Sequence, residues 1–186
     1  MSSGTPISSG TPISTVPQPS PSVARLVAED LGATLDLPVG WELDFDEGQG
    51  LLRAVGRGSA YCLDDLCPSV TVQKLPFSGA EGDFARLCDE TLNEMSLVYN
   101  DFSLLWSSAP EEGRVARCYS FRPKGLSQKV TQLQGLVAAN NDAVVFVVAC
   151  TAPTATFPRL EAVFRHAVAS LRSLGPDFVA PEGGGG

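Results

Sequence analysis

Histidine is almost absent from this 186-residue sequence, which contains only His166. A metal site built from several histidines is therefore excluded, and a serine or cysteine nucleophile would have to use His166 as its base. No serine stands in a nucleophile-elbow motif, and His166 borders the apolar stripe of a predicted helix. We interpret it as a surface or packing residue and predict that the protein is not an enzyme; an enzyme that uses His166 is the alternative.

Motifs for cofactors and phosphate groups are also lacking. The sequence has neither a Walker loop nor a three-glycine dinucleotide fingerprint, and Gly48–Gly50 and Gly56–Gly58 lie in turn-rich segments. Adjacent carboxylates occur at Asp64–Asp65 and Glu111–Glu112, where the turn context favours solvated side chains. No residue is therefore assigned as catalytic, cofactor-binding or metal-binding, and no cofactor is expected.

Positive charge is scarce, since 13 Lys and Arg stand against 21 Asp and Glu and give a formal net charge of −8. Such a chain repels phosphate backbones, and the basic residues between Arg114 and Lys129 are spread over strand-like sequence. We expect no nucleic-acid partner. The longest apolar run, Ala143–Cys150, is too short to span a membrane, and no secretory signal marks the chain as it stands.

The two ends of the chain lack the apolar residues that a core requires. Ser2–Ile7 is repeated directly as Ser8–Ile13, and three prolines follow the repeat. Small, uncharged, proline-rich sequence cannot bury enough surface to offset the entropy of ordering. We predict a disordered tail over residues 1–22, one domain over 23–176 and a flexible tail over 177–186.

Sequence periodicity gives the order of the elements. Apolar residues alternate with polar ones in strands and recur every three or four residues in amphipathic helices. The pattern predicts strands over 33–37, 51–55 and 68–75, a helix over 80–99, strands over 102–107, 114–121, 128–138 and 143–151, and a helix from about 156 to 174. Segment 44–48 is interpreted as an acidic turn and 140–142 as a tight hairpin.

The last four strands are joined by hairpin-length connections, which require antiparallel pairing. Strand 128–138 alternates polar and apolar residues and is predicted to be half-exposed, whereas 143–151 is apolar on both faces and is predicted to be central. The fold class expected is α+β, with a central antiparallel β-sheet flanked by helices as an α/β/α sandwich.

The five cysteines do not form the dense, even-numbered pattern of a disulfide scaffold. Cys88 and Cys150 lie in apolar contexts and are interpreted as buried hydrophobic residues. Cys62 and Cys67 bracket the turn Leu63–Leu66, so a hairpin disulfide between them is a candidate and two free thiols are the alternative.

Two tryptophans supply the candidate contacts for a partner. Trp41 follows the Pro38–Gly40 turn, and Trp106 follows two leucines in a predicted strand. Exposed tryptophans are frequent hot spots of interfaces. Each side chain is therefore a candidate partner-binding residue if it is exposed, and a core residue if it is not.

Several short motifs resemble the PsbP-like superfamily, which includes the Mog proteins, the DcrB-related proteins and the LpqN/LpqT lipoproteins. The matching segments, spread over Ala33–Leu174, are Leu37–Trp41, Val70–Leu75, Gly113–Arg117, Gln132–Gly135 with Ala143–Phe146, and Phe164–Leu171. The resemblance implies a central antiparallel sheet sandwiched by helices, a non-enzymatic role and no catalytic residues to transfer.

The N-terminal tail favours the LpqN/LpqT branch, since its composition is similar to the spacer that follows the lipidated cysteine of such lipoproteins. That branch implies an exported envelope protein that binds a protein partner or an apolar peptide or lipid ligand. The alternative is a cytoplasmic secretion chaperone or adaptor of the DcrB-related type. A formed Cys62–Cys67 disulfide would favour export, and free thiols would favour the cytosol.

Overall fold

The computed structural model describes residues 21–77, 83–139 and 144–174. Within these ranges the elements are β1 (Val23–Ala28), β2 (Ala33–Pro38), β3 (Glu42–Asp46), β4 (Leu51–Val55), β5 (Ser69–Pro76), α1 (Asp83–Val98), β6 (Asn100–Ser107), β7 (Arg114–Arg122), β8 (Val130–Ala139), β9 (Val144–Pro153), α2 (Phe157–Ser170) and β10 (Arg172–Ser173). The predicted α+β class is confirmed. The predicted tails, except residues 21 and 22, and the predicted hairpin at 140–142 lie outside the described residues.

Seven strands form one antiparallel sheet in the order β3-β4-β5-β9-β8-β7-β6. The four strands predicted to meander, β6 to β9, are consecutive neighbours, and β9 is central as predicted. β5 pairs with β9 in register from Ser69↔Thr151 to Pro76↔Val144, so this ladder joins the first three strands to the last four.

A second sheet of three strands, ordered β1-β2-β10, was not predicted. β1 has no buried residue, and β10 is only two residues long, so neither carries a clear periodic pattern. The extended conformation of Leu171 ends α2 earlier than the predicted residue 174. The N–H of Leu174 then donates to the carbonyl of Gly32, which anchors β10 beside β2.

The interpretation of segment 44–48 as a turn is wrong for residues 44–46, which belong to β3. β3 extends through Asp46 and pairs with β4 from Glu42↔Val55 to Asp46↔Leu51. An edge strand forms only one ladder and tolerates charged side chains that point to water. The acidic residues of β3 therefore gave this edge strand the sequence pattern of a solvated turn.

The prediction that the strand at 128–138 is half-exposed is also wrong. Every residue of β8 is buried except Ala138, which is partly exposed. β7 and β9 flank this strand, and its polar side chains are accommodated by hydrogen bonds. Gln132 donates to the hydroxyl of Tyr119 and accepts from Thr151, while Gln134 accepts from Arg117.

One face of the seven-stranded sheet, here called the α2 face, is covered by α2 together with the β1–β2 hairpin. Leu160 and Phe164 of α2 are fully buried against this face. Gly135 of β8 permits the close approach, because a Cβ atom there would lie 2.5 Å from the Cγ1 atom of Val168. The core of the protein is therefore concentrated on this side of the sheet.

The opposite face, here called the α1 face, is held to α1 by a buried arginine. Cys88 is the buried residue of this helix, and its other apolar contacts come from partly exposed side chains such as Phe84 and Leu87. Arg117, 1% exposed, donates to Gln134 Oε1 at 2.7 Å, to the Cys88 carbonyl at 2.7 Å and to Thr91 Oγ1 at 2.8 Å. Burial lowers the pKa of the Arg117 guanidinium, although arginine keeps its proton in proteins.

We expect Arg117→Ala to lower the free energy of unfolding by about 3 kcal/mol, because it leaves a cavity and buried acceptors without donors. Arg122→Ala, in the same strand, removes an exposed ion pair with Asp101 and should cost about 0–1 kcal/mol. Urea denaturation of both variants measures the difference. Equal losses for the two would contradict the role given to Arg117.

Candidate functional site

A groove lies on the α2 face between the second half of α2 and the β6–β7 pair. We call it the Trp106 groove, and its volume is 480 Å³. Trp106 forms an aromatic wall of the groove. The apolar floor consists of Ala116, Leu133, Val137 and Val168, and the charged rim consists of Glu111, Glu112, Arg114 and Arg165. Pockets of this size and composition accept apolar groups.

A β-bulge places Trp106 on this face. Leu104 pairs with Tyr119 and Trp106 pairs with Cys118, so β6 uses one residue more than β7 at Leu105. Successive residues of a regular strand point to opposite faces, and the extra residue reverses that alternation. Leu104 therefore shares the side of Tyr119 on the α1 face, while Trp106 shares the side of Cys118 on the α2 face.

Arg165 of α2 covers part of the tryptophan ring. Its guanidinium carbon lies 4.6 Å from the centroid of Trp106. Its Nε and Nη2 atoms donate to Glu161 Oε1 at 2.9 Å and 2.7 Å, which fixes the side chain above the ring. A cation in this position is attracted by the face of the indole. The wall of the groove thus presents an aromatic edge beside a positive charge.

The other end of the groove has charges of both signs. Arg114 Nη2 donates to the carbonyl of Leu171 at 2.9 Å, which joins β7 to the end of α2. Burial lowers the pKa of Arg114, and the neighbouring Arg172 lowers it further. Exposed Glu111 and Glu112 stand on the adjoining turn. This arrangement suits a ligand with an apolar body and polar ends.

Trp41 and Trp106 contact different residues of α2, Phe164 and Arg165 respectively. The Trp41 ring packs edge-on against Phe164, with centroids 6.3 Å apart. It also covers Gly56, where a Cβ atom would lie 2.8 Å from the indole Cε2 atom. Trp41 is therefore a packing residue of the core cluster, and it does not line the Trp106 groove.

No protein-family model matches the sequence, and no curated protein matches it. Solved structures do match. The Ran-binding protein Mog1p of Saccharomyces cerevisiae is 15% identical and covers 83% of this chain and 97% of its own, with a TM-score of 0.59. The chain has the Mog1/PsbP-like fold. Cyanobacterial PsbP of Synechocystis is 15% identical, with 88% and 97% covered and a TM-score of 0.53.

LpqN, involved in cell envelope biogenesis of Mycobacterium tuberculosis, is also similar: it is 17% identical, with 81% and 89% covered and a TM-score of 0.55. The resemblance of the sequence motifs to the PsbP-like superfamily is therefore confirmed for the fold. At identities this low the likeness concerns the fold alone.

His166 binds Asp36 at the surface of this Mog1/PsbP-like domain. Its Nε2 atom lies 2.8 Å from Asp36 Oδ2, while Arg25 donates to the other oxygen of the same carboxylate. The backbone N–H of Asp36 donates to Ser170 Oγ at 2.9 Å. These contacts fasten α2 to the β1–β2 hairpin, and His166 does not line the Trp106 groove.

The hydrogen bond from Arg25, followed by the one from His166, lowers the pKa of Asp36. A carboxylate with a depressed pKa in the folded state stabilises the fold above the ordinary aspartate pKa of about 3.9, and this contribution is lost as the pH falls through the depressed value. We expect the stability advantage of wild type over Asp36→Asn to shrink below about pH 4. Urea denaturation at a series of pH values measures this.

In an Arg25→Gln background the pH dependence of the Asp36→Asn effect should be smaller, because Arg25 is the largest cause of the shift. An advantage that persists unchanged to the lowest pH would contradict this assignment.

The five cysteines occupy two kinds of environment. Cys62 and Cys67 form a disulfide across the turn closed by the Leu63–Leu66 bridge, with Cα atoms 4.2 Å apart. Cys88, Cys118 and Cys150 are buried thiols. Burial raises the pKa of Cys118 to about 11 and also raises the pKa of the other two, so all three are protonated and poor nucleophiles.

A thiol reagent should therefore label no cysteine in the native protein, three after denaturation, and five after denaturation and reduction. Mass spectrometry of the labelled protein, purified without reductant, gives the three counts. Labelling of Cys62 and Cys67 in the native protein would contradict the disulfide.

The described ranges contain neither a cluster of metal ligands nor a helix able to span a membrane. No group of three or more His, Cys, Asp or Glu residues there is arranged to hold a metal ion. Neither helix in that part of the chain has the length and apolar character needed to cross a membrane.

Proposed function

We propose that this chain is a non-catalytic binding protein whose Trp106 groove takes an apolar group of a protein partner, a peptide or a lipid. One observation carries the proposal. The groove combines an apolar floor with an aromatic wall and a rim of both charges, as binding pockets usually do. The description of Mog1p as a Ran-binding protein agrees with a binding role for this fold.

The chemistry of the remaining side chains supports a non-catalytic role. The imidazole of His166 is engaged by Asp36 away from the groove. The three thiols are buried and protonated. The described groove therefore offers residues for binding, with no nucleophile paired to a base.

We further propose that the protein is exported and acts as a lipoprotein-type envelope protein. The Cys62–Cys67 disulfide supports an oxidising compartment, and the Ser/Thr/Gly/Pro-rich first 22 residues have the composition of a lipoprotein spacer. The second candidate is a cytoplasmic secretion chaperone or adaptor of the DcrB-related type, which would use the same groove to shield apolar segments of a client. The thiol counts separate the two.

Filling the groove should weaken ligand binding. Ala169 lies on the exposed side of α2 and lines the groove, so Ala169→Leu would project into it. The probe is 1-anilinonaphthalene-8-sulfonate, with oleate and a leucine-rich peptide as competitors. We expect a dissociation constant about tenfold higher for Ala169→Leu, since about 1.4 kcal/mol of apolar contact would be lost.

The matched control is Ala162→Leu, an exposed position of the same helix that does not line the groove, and its binding should equal that of wild type. In a Trp41→Phe background Trp106 is the single tryptophan that can transfer excitation energy to the probe, so the transfer reports on the groove. Wild-type binding by Ala169→Leu would contradict the proposed site. A turnover that His166→Ala abolishes without unfolding the domain would contradict the non-catalytic role.

A further inference from the structure

A second cleft lies at the opposite edge of the seven-stranded sheet from Trp106. It has a volume of 380 Å³ and is lined by Leu26–Asp30, Leu43–Phe45 and Leu52. We call it the β1–β3 cleft. Leu26, Phe45 and Leu52 belong to or pack against the main core, while Leu43 is 53% exposed and Val27 is 40% exposed. These side chains give the cleft an apolar floor that is open to solvent.

Two strand edges face this cleft. β1 is the outer strand of the three-stranded sheet and β3 is the outer strand of the seven-stranded sheet. Consecutive side chains of a strand point to opposite faces, so a cleft lined by consecutive residues of both strands borders their backbones. Over the described ranges β1 pairs with β2 alone and β3 with β4 alone. Outer edges of this kind accept an added strand.

The other outer strand of the large sheet is less suited to this. β6 has two register irregularities where it pairs with β7, at Asn100/Ser103 and Leu104/Trp106. Bulges twist an edge away from regular pairing. β3 pairs in unbroken register with β4 over its whole length, so no bulge interrupts the ladder that an added strand would extend.

The charges around the cleft select the occupant. Glu29, Asp30 and Asp44 line it, no basic residue does, and no ion pair engages these three acids in the part of the chain described. A second copy of this chain would bring the same acids into contact and would be repelled. The chain's own first 20 residues contain no Lys or Arg. A cationic partner is complementary.

The alternation of β3 defines the pattern of that partner. Leu43 and Phe45 face the α2 side of the sheet. Glu42, Asp44 and Asp46 face the other side. Residues directly across a ladder interact with each other. An added strand would therefore place its apolar side chains beside Leu43 and Phe45. Its basic side chains would lie on the side of the three β3 carboxylates, which outnumber the two arginines there, Arg53 across the ladder from Asp44 and Arg57 paired with Glu42.

We propose that the β1–β3 cleft binds an extended segment of a partner protein in which Lys or Arg alternates with apolar residues, by adding it as a strand to the edge of β3. This surface is separate from the Trp106 groove and does not depend on the function proposed for that groove.

In the test, isothermal titration calorimetry measures the binding of an octapeptide of alternating lysine and valine to the full chain. Two comparison peptides are an octapeptide of alternating glutamate and valine, and one of four lysines followed by four valines. We expect saturable binding of the alternating cationic peptide, at least about tenfold tighter than either comparison peptide, because only it matches both the charge and the alternation.

The variant that tests the site combines Glu29→Gln, Asp30→Asn and Asp44→Asn, all exposed positions. It should weaken the alternating peptide by about tenfold or more. The matched control combines Asp65→Asn, Glu90→Gln and Glu94→Gln, which are exposed elsewhere and change the net charge equally. The control should bind within about twofold of wild type.

Several outcomes would overturn the proposal. Equal weakening by the two triple variants would show a general charge effect, and equal binding of the two lysine peptides would show that no strand is added. Absence of binding by the alternating peptide would exclude the site. Thermal unfolding of each variant verifies that the domain is intact, and wild-type affinity in Trp106→Ala verifies that the groove is not involved.

Discussion

The ladder between β5 and β9 is the contact on which the rest of the domain depends. It joins the strands that precede α1 to the meander that follows it, and it is the one pairing that makes a single sheet of seven strands. Val70 and Val72 on one strand and Val148 and Cys150 on the other are almost completely buried at this seam. α2 packs over the same seam through Leu160 and Phe164, so the sheet junction and the main core are one structure.

The width of the sheet explains where binding surfaces arise. An α-helix with its side chains is about 10 Å wide and neighbouring strands lie about 4.8 Å apart, so one helix covers two or three strands. α2 contacts β8 and β9 of this sheet and β2 of the second sheet, and its contacts with the outer strands β3 and β6 are fewer. The Trp106 groove adjoins β6 and the β1–β3 cleft adjoins β3. The first has a rim of both charges and the second an acidic rim, so they suit different ligands.

Sequence patterns predicted the elements whose environment is repetitive. The stripe of α2 and the apolar run of β9 gave the correct type and place, because each contacts the same kind of neighbour along its length. The sequence also contains a pattern that indicates the buried Arg117, because this residue alternates with Val115 and Tyr119 on a face of β7 that is otherwise apolar. Edge strands gave weaker signals. β3 is acidic and β1 is exposed, so the pattern presented neither as a strand.

By itself the sequence determined the class of fold and the central strand, because local periodicity encodes them. It also singled out the candidate disulfide pair by its spacing and the two tryptophans as candidate contacts by their residue type. Only the tertiary structure decided that Trp106 lines a groove while Trp41 packs on Phe164, since a one-residue bulge at Leu105 selects the face. The same holds for the approach of β1 to β3 and of Arg165 to Trp106. Such contacts join residues distant in sequence, and no local pattern records which distant side chain will lie opposite.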